Sequence, residues 1–211
     1  MTIKLLCFDM DGVIFQPRNF WLELHRVFGT LEEGKNLTEK YLHTDYDKLV
    51  QEVVARLWKG KDAQAYYQLV KSIPYMKGVK ELFTEIKKED WITAVITSGS
   101  MDLARRAQHD LGIDHLFANE LMIKNNKVSG EFIGPIGAGT KEKMKIIQHL
   151  CEDLKVKLEE VAYIGDSTVD SGAFSIVGTS IAFNTDSEEL KKAATHIVEG
   201  KDLRKVLKFL K

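Results

Sequence analysis

Apolar and polar positions change their spacing twice along this 211-residue chain. Near the start, Ile3 and Leu5 to Phe8 form a short, almost unbroken apolar run, the pattern of a strand buried on both faces. From about Asn19 to Ser72 the spacing becomes helical. FWLELHRVF, YDKLVQEVVARLW and AQAYYQLV each repeat apolar residues every three or four positions, with GTLEEGKN and KGKDA read as loops between them. Beyond Pro74 short apolar runs alternate with amphipathic stretches. GVKELFTEIKKE predicts a helix, ITAVITS (92–98) a strand, and MDLARRAQHDLG (101–112) a helix closed by its glycine. ELMIKNNKVSGEFIG holds two alternating runs about Asn125-Asn126 and predicts a β-hairpin. TKEKMKIIQHLCEDL predicts a helix, VAYIG (161–165) a strand, DSGAFSIV a short helix and SIAFN a strand. SEELKKAA, HIVE and DLRKVLKFL follow as helix, strand and last helix.

Strands that alternate with helices point to an α/β fold: a Rossmann-like, doubly wound, mostly parallel sheet with helices on both faces and right-handed crossovers. Residues 1–15 and 75–211 are expected to form this core, and 16–74 a small helical insert. The tryptophans, tyrosines and methionines of the insert read mainly as packing residues.

Composition narrows the function classes. A hydrophobic content of 44% supports a full core, and a net charge of -1 leaves no broad basic surface for nucleic acid. The Lys-rich C-terminus reads as a solvated helix face. No apolar run reaches the ~18 residues of a membrane span, and MTIKLLCF turns acidic too soon for a signal peptide. Cys7 and Cys151 fall within element patterns and read as reduced core thiols, so the expected location is the cytoplasm. The six histidines show no metal-ligand spacing.

The chemistry gathers at predicted strand ends. The first strand runs into Asp9 and Asp11, with Gly12 opening a turn. Burying a carboxylate is costly unless it is paired or bound to a cation, and ligands of open α/β sheets sit at the carboxyl ends of the strands. ITAVIT ends in Thr97-Ser98-Gly99-Ser100, and VAYI ends in Gly165-Asp166-Ser167 with Asp170 just beyond. Lys141 and Lys143 open the helix between them. Lys143 is followed by Ile146, Ile147 and Leu150 at the spacing of one buried helix face, whereas Lys141 is followed by Met144 and Lys145, which favours Lys143 at the sheet end. In a parallel sheet these groups converge on one crevice. Ser100 is the better N-cap for the 101–112 helix, which leaves Ser98 free.

DMDGV, ITSGS, a lysine opening a helix, and YIGDSTVD occur in an order that resembles the haloacid dehalogenase superfamily, and within it the phosphatases; the C-terminal stretch from GDSTVD onward looks most like phosphoserine phosphatases. The resemblance implies a Mg²⁺-dependent phosphomonoester hydrolase. Asp9 would be the nucleophile that forms an aspartyl-phosphate, and Asp11 the general acid and then base. Mg²⁺ would be held by Asp9, Asp166 and the backbone carbonyl of Asp11. Asp170 would support the metal shell or orient the lysine. Ser98, Gly99 and Lys143 would hold the phosphate, and the insert would act as a cap that selects the substrate.

Phosphoserine phosphatases place a glutamate early in the cap where this chain has Arg18, and an asparagine before the last Asp of the fourth motif where it has Val169. A cation at Arg18 suits a carboxylate or a second phosphate rather than an ammonium group. Gln16, Arg18, Phe20, Trp21 and Arg56 are the candidate pocket residues. A small phosphorylated metabolite is the expected partner, with phosphoserine, phosphoglycolate and sugar phosphates open and both monomer and homodimer allowed. A phosphotransferase or phosphomutase on the same scaffold and a non-catalytic receiver-like phosphoprotein are the alternatives.

Overall fold

The computed structural model describes residues 2–137 and 140–210, and of Thr140 only the backbone. Its centre is β1 (Leu5–Phe8), every residue of which is buried. Side chains alternate across a strand, and β1 therefore feeds two cores. Leu6 and Phe8 face one apolar cluster, and Leu5 and Cys7 face the other. This accounts for the unbroken apolar run: a central parallel strand has no wet face.

The elements follow in chain order. α1 (Phe20–Phe28), α2 (Leu31–Tyr41), α3 (Tyr46–Val50), a wider π-helix (Gln51–Trp58) and α4 (Ala63–Ser72) make up the insert. α5 (Val79–Ile86), β2 (Ile92–Ser100), α6 (Met101–Leu111), β3 (His115–Lys124) and β4 (Lys127–Ile133) come next. α7 (Thr140–Leu154), β5 (Val161–Gly165), α8 (Ser171–Phe174), β6 (Thr179–Phe183), α9 (Glu188–Ala193) and β7 (His196–Val198) follow, with 3-10 helices at Leu158–Glu160, Thr168–Asp170 and Leu203–Phe209. The seven-stranded sheet runs β4-β3-β2-β1-β5-β6-β7 and is parallel except for β4. β1 pairs with β2 on one side and β5 on the other, so the strand order reverses there and a crevice opens at their carboxyl ends.

Several expectations from the pattern are corrected. GTLEEGKN is not a loop, because most of it lies in α2. Gly34 sits in that helix directly beneath the His25 ring, where any Cβ would fall within 2.3 Å of a ring atom. The helix is thus held by a tertiary contact that an apolar period does not show. The stretch expected as one helix over 46–58 divides into α3 and the π-helix. The last helix is 3-10 rather than α. β3 begins at His115 and pairs first with β2 and then with β4. The hairpin turns at Asn125 and Asn126, both with positive φ (51° and 58°), as a tight two-residue turn requires.

Besides the contacts of α1 and α4 at the end of β2, the insert is fastened to the core at its linkers and at the edge of β4. Its two linkers pair with each other, Gln16 N–H donating to Pro74 O (3.0 Å) and Met76 N–H to Ile14 O (2.8 Å). Arg106 of α6 lies over the Phe15 and Tyr75 rings and donates to the carbonyls of Val70 and Ile73. At the far side, the Gly60 amide donates to Val128 O (2.9 Å) and the Val128 amide to Lys61 O (3.0 Å). Part of the β4 edge is thereby covered rather than left open for pairing.

Inside the insert, Thr30 Oγ1 lies 2.7 Å from His25 Nδ1, and the Trp58 indole N–H points at both. With Trp58 donating, Nδ1 is an acceptor and the ring is neutral. Burial pushes the imidazole down to about 4, whereas an unfolded histidine titrates near ~6.5. Between those values the unfolded chain binds the extra proton. The ring's contribution to stability is intact above pH ~6.5 and is lost as pH falls toward 4. Urea midpoints measured at neutral pH and near pH 5 should therefore fall more for the wild type than for His25→Gln. Equal falls would show that His25 is not the group responsible.

Candidate active site

Asp9 leaves β1 with the same parity as Leu5 and Cys7, toward the sheet face covered by α7. Its amide donates to Ile164 O of β5 (2.9 Å), which sets it beside the end of that strand. α7 buries Lys143, Ile147, Leu150 and Cys151 along one stripe, and Lys143 is the member nearest its N-terminus. Lys143 Nζ reaches Asp9 Oδ1 at 3.0 Å and Asp170 Oδ1 at 2.7 Å, with its side chain only 1% exposed. Lys141, on the opposite side of the helix, is exposed.

Asp170 is fully enclosed and its oxygens are well occupied. Oδ1 also accepts from Tyr163 Oη (2.9 Å), and Oδ2 accepts the amides of Asp166 (3.1 Å) and Ser167 (3.2 Å). Gly165 makes room for this, since a Cβ there would stand 2.5 Å from the Asp170 carboxylate. Asp170 therefore orients Lys143 and shapes the turn that presents Asp166.

Oxygens of Asp9, Asp166 and Asp170 lie within 4.8 Å of one another. Burial pushes Asp9 up to about 6, helped by the charge of Asp170 and opposed by Lys143. Asp166 is pushed up to about 8 by burial and by the charges of Asp9 and Asp170. For Lys143 burial works downward but is outweighed by Asp170 and Asp9, which hold the ammonium well above its ordinary value. One lysine thus serves three acids. Arg18 Nε, 3.9 Å from Asp166 Oδ2, is a distant and half-exposed second cation. Hard oxygen donors in excess of positive charge, at a sheet end, match the donor set that a divalent metal such as Mg²⁺ takes. Asp9 and Asp166 would be the carboxylates free to hold such an ion, because Asp170 is committed to Lys143 and the turn.

Asp11 turns toward the insert, and its Oδ2 accepts the Phe20 amide (2.8 Å) at the start of α1. Burial pushes it up to about 7, with Asp9 adding to the shift and the Phe20 N–H opposing it. Gly12 has φ +77°, and a Cβ there would lie 2.1 Å from Asp166 Oδ2, so this turn admits no side chain.

At the end of β2, Ser98 is half-buried, and its carbonyl accepts the Trp21 indole N–H (2.8 Å) and Asn119 Nδ2 (3.0 Å). The Gly99 amide donates to Thr97 Oγ1 (3.0 Å). Ser100 caps α6, and its hydroxyl lies 2.7 Å from Tyr66 Oη. Asp9, Asp11, Ser98, Gly99, Lys143, Asp166 and Asp170 thus share the crevice.

The pocket candidates divide. Phe20 and Trp21 touch Asp11 and Ser98. Arg18 donates to Asp186 Oδ2 and Asn184 O, both at 2.8 Å, beside Asp166. Gln16 is bound to Tyr75 O in the linker ribbon. Arg56 is not brought to the crevice. It pairs with Glu52 one turn away and with Glu33 of α2, a partner hidden as long as that segment is read as a loop.

Asn119 and Tyr163 escape a reading of the sequence. Both are polar residues inside otherwise apolar strand patterns. Asn119 is fully buried, donates to Ile136 O (2.8 Å) as well as Ser98 O, and accepts the Ile136 amide (3.0 Å).

Comparison with known proteins gives a consistent answer. A phosphoserine phosphatase of Methanocaldococcus jannaschii is 29% identical over 99% of this chain and 98% of its own length. One from Saccharomyces cerevisiae is 29% identical over 98% of this chain and 67% of its own length. Among solved structures, a substrate-bound phosphoserine phosphatase superposes with a TM-score of 0.87 at 26% identity, and a phospho-aspartyl intermediate analogue of phosphoserine phosphatase with 0.87 at 27%; each covers both chains completely. The profile of the haloacid dehalogenase-like hydrolases matches residues 3–178, and the chain belongs to that family.

Proposed function

We propose that the protein is a Mg²⁺-dependent phosphomonoester hydrolase that works through an aspartyl-phosphate on Asp9. The observation that carries this reading is the Asp9–Lys143–Asp170 chain, set beside Asp166 at the switch point of the sheet with Asp11 held opposite by Phe20 N–H. An Asp9 oxygen attacks phosphorus and the ester P–O bond breaks. Asp11 delivers its proton to the leaving oxygen; burial pushes its carboxyl up to about 7, which keeps that proton available near neutrality. Asp11 then takes a proton from water, whose oxygen attacks phosphorus, and the Asp9–phosphorus bond breaks to release inorganic phosphate. Lys143 holds Asp9 in place and balances phosphate charge, with Ser98 and Gly99 at the phosphate oxygens. Bound at Asp9, Asp166 and the Asp11 carbonyl, Mg²⁺ would screen the repulsion between carboxylate and phosphate.

Residues 16–74 would act as a cap over the core formed by 1–15 and 75–211. The substrate would be a small acidic phosphomonoester, with phosphoserine the first candidate from the relatives, and the two free buried thiols fit a reducing compartment such as the cytoplasm. The test is phosphate release from L-phosphoserine, phosphoglycolate, sugar phosphates and p-nitrophenyl phosphate, with Mg²⁺ and then with EDTA. Metal-dependent release with one favoured ester is expected. Release from none of them, by folded protein with Mg²⁺ present, would overturn the reading.

Gly12→Ala tests the geometry of the turn. The new methyl displaces Asp166, and turnover is expected to fall about a hundredfold, the scale of an ångström-sized misplacement. Turnover within about twofold of wild type would contradict so close a packing of Gly12 against Asp166.

A further inference from the structure

We propose that Trp21 is a positioning residue for this reaction, through which the insert sets the Ser98–Gly99 peptide. The proposal rests on Ser98 and Gly99 as the phosphate-holding segment. The Ser98 carbonyl accepts two N–H groups, one from the core and one from the insert. One comes from Asn119, fixed in the core by its paired bonds to Ile136. The other is the Trp21 indole of α1, at 2.8 Å. With Thr97 Oγ1, which accepts the Gly99 N–H at 3.0 Å, they hold the plane of the Ser98–Gly99 peptide. The same peptide is packed tightly on its other side, where a Cβ at Gly99 would lie 2.7 Å from Met10 Cε and 3.2 Å from Asp11 Oδ2.

The residue type suits this role. An indole offers one donor on a broad apolar body, and phenylalanine offers no donor. Trp21 is held edge-on by Phe20 (5.3 Å between ring centroids) and by Phe132 of β4 (5.5 Å), and lies beside Trp58 (6.0 Å). Its neighbour Phe20 gives its backbone N–H to Asp11. The first turn of α1 therefore supplies both a donor to the carboxylate that moves the proton and a donor to the loop that holds the phosphate. Any displacement of α1 withdraws both at once, so the site is complete only with the insert in place.

The experiment is steady-state hydrolysis of p-nitrophenyl phosphate with Mg²⁺ by Trp21→Phe and Trp21→His. Trp21→Phe should lower kcat about five- to tenfold, the worth of one hydrogen bond, with KM nearly unchanged. Trp21→His, which keeps a ring N–H, should recover part of the loss. An unchanged kcat, or a loss confined to KM, overturns the proposal.

A wild-type measurement does not depend on the variants folding. In protein labelled with ¹⁵N-tryptophan, the Trp21 indole N–H, assigned through its contacts with Phe20 and Phe132, should exchange more slowly once orthovanadate and Mg²⁺ are added. Unchanged exchange overturns the proposal. If Trp21→Phe is neutral while Asp9→Asn is inactive, only the positioning role fails. If Asp9→Asn keeps its turnover, the hydrolase mechanism fails with it.

Discussion

Asp9→Asn should lose at least about a thousandfold in turnover while remaining folded. The amide is nearly isosteric with the carboxylate but is a poor nucleophile toward phosphorus. Stability should change little, because Lys143 keeps its shorter bond to Asp170, 2.7 Å against 3.0 Å to Asp9. The check is phosphate release under saturating Mg²⁺, together with a urea melt of the same sample. Near wild-type turnover in folded Asp9→Asn would remove this aspartate from the chemistry.

Lys143→Met should have the larger effect on stability. The lysine is out of water and is the cation in direct contact with Asp9 and Asp170, themselves buried. Removing one member of a buried ionic group leaves uncompensated charge and typically costs ~3–5 kcal/mol. Urea unfolding at neutral pH without Mg²⁺ should show a loss of that size. Adding Asp9→Asn to Lys143→Met should then restore part of it, since one unpaired carboxylate is gone, and the double variant should be more stable than the sum of the single effects implies. A loss below about 1 kcal/mol would mean that the crevice is far more hydrated than the burial of these groups indicates.

The two substitutions separate roles that the geometry ties together. Asp9 is read as the atom that reacts, and Lys143 as the charge that lets Asp9 and Asp170 be buried beside it. Asp166 stands apart from both, presented by a turn that Asp170 builds with its second oxygen and that Gly165 and Gly12 leave room for.

Much of this arrangement is legible in the chain. The apolar run into Asp9, the ITAVIT strand that leads to Ser98 and the VAYIG strand before Asp166 all have the pattern of buried strands, and the sheet places their ends together. The apolar stripe behind Lys143 separates it from Lys141, and the structure encloses the first and exposes the second. What the chain does not show are contacts between residues far apart in sequence. α2 looks polar because its small residue, Gly34, packs under an imidazole rather than joining an apolar stripe. Arg56 suggests itself as a pocket residue by its place in the later helices of the insert, and only the packed helices show it paired with Glu33 of α2 and with Glu52. Asn119 and the Trp21 contact with Ser98 join segments with no shared period, and only the assembled sheet and insert bring them together.

The central claim is that Asp9 carries the phosphoryl group during turnover. The most direct measurement is an acid quench of the enzyme turning over its best phosphomonoester with Mg²⁺, followed by peptic digestion at the same low pH and mass spectrometry of the peptide that holds Asp9. A single acid-stable, alkali-labile phosphoryl group on Asp9, missing from Asp11→Asn controls quenched before substrate is added, is the expected result. Steady phosphate release with no phosphoryl group on that peptide at any quench time, in enzyme slowed by Asp11→Asn as well as in wild type, would contradict it.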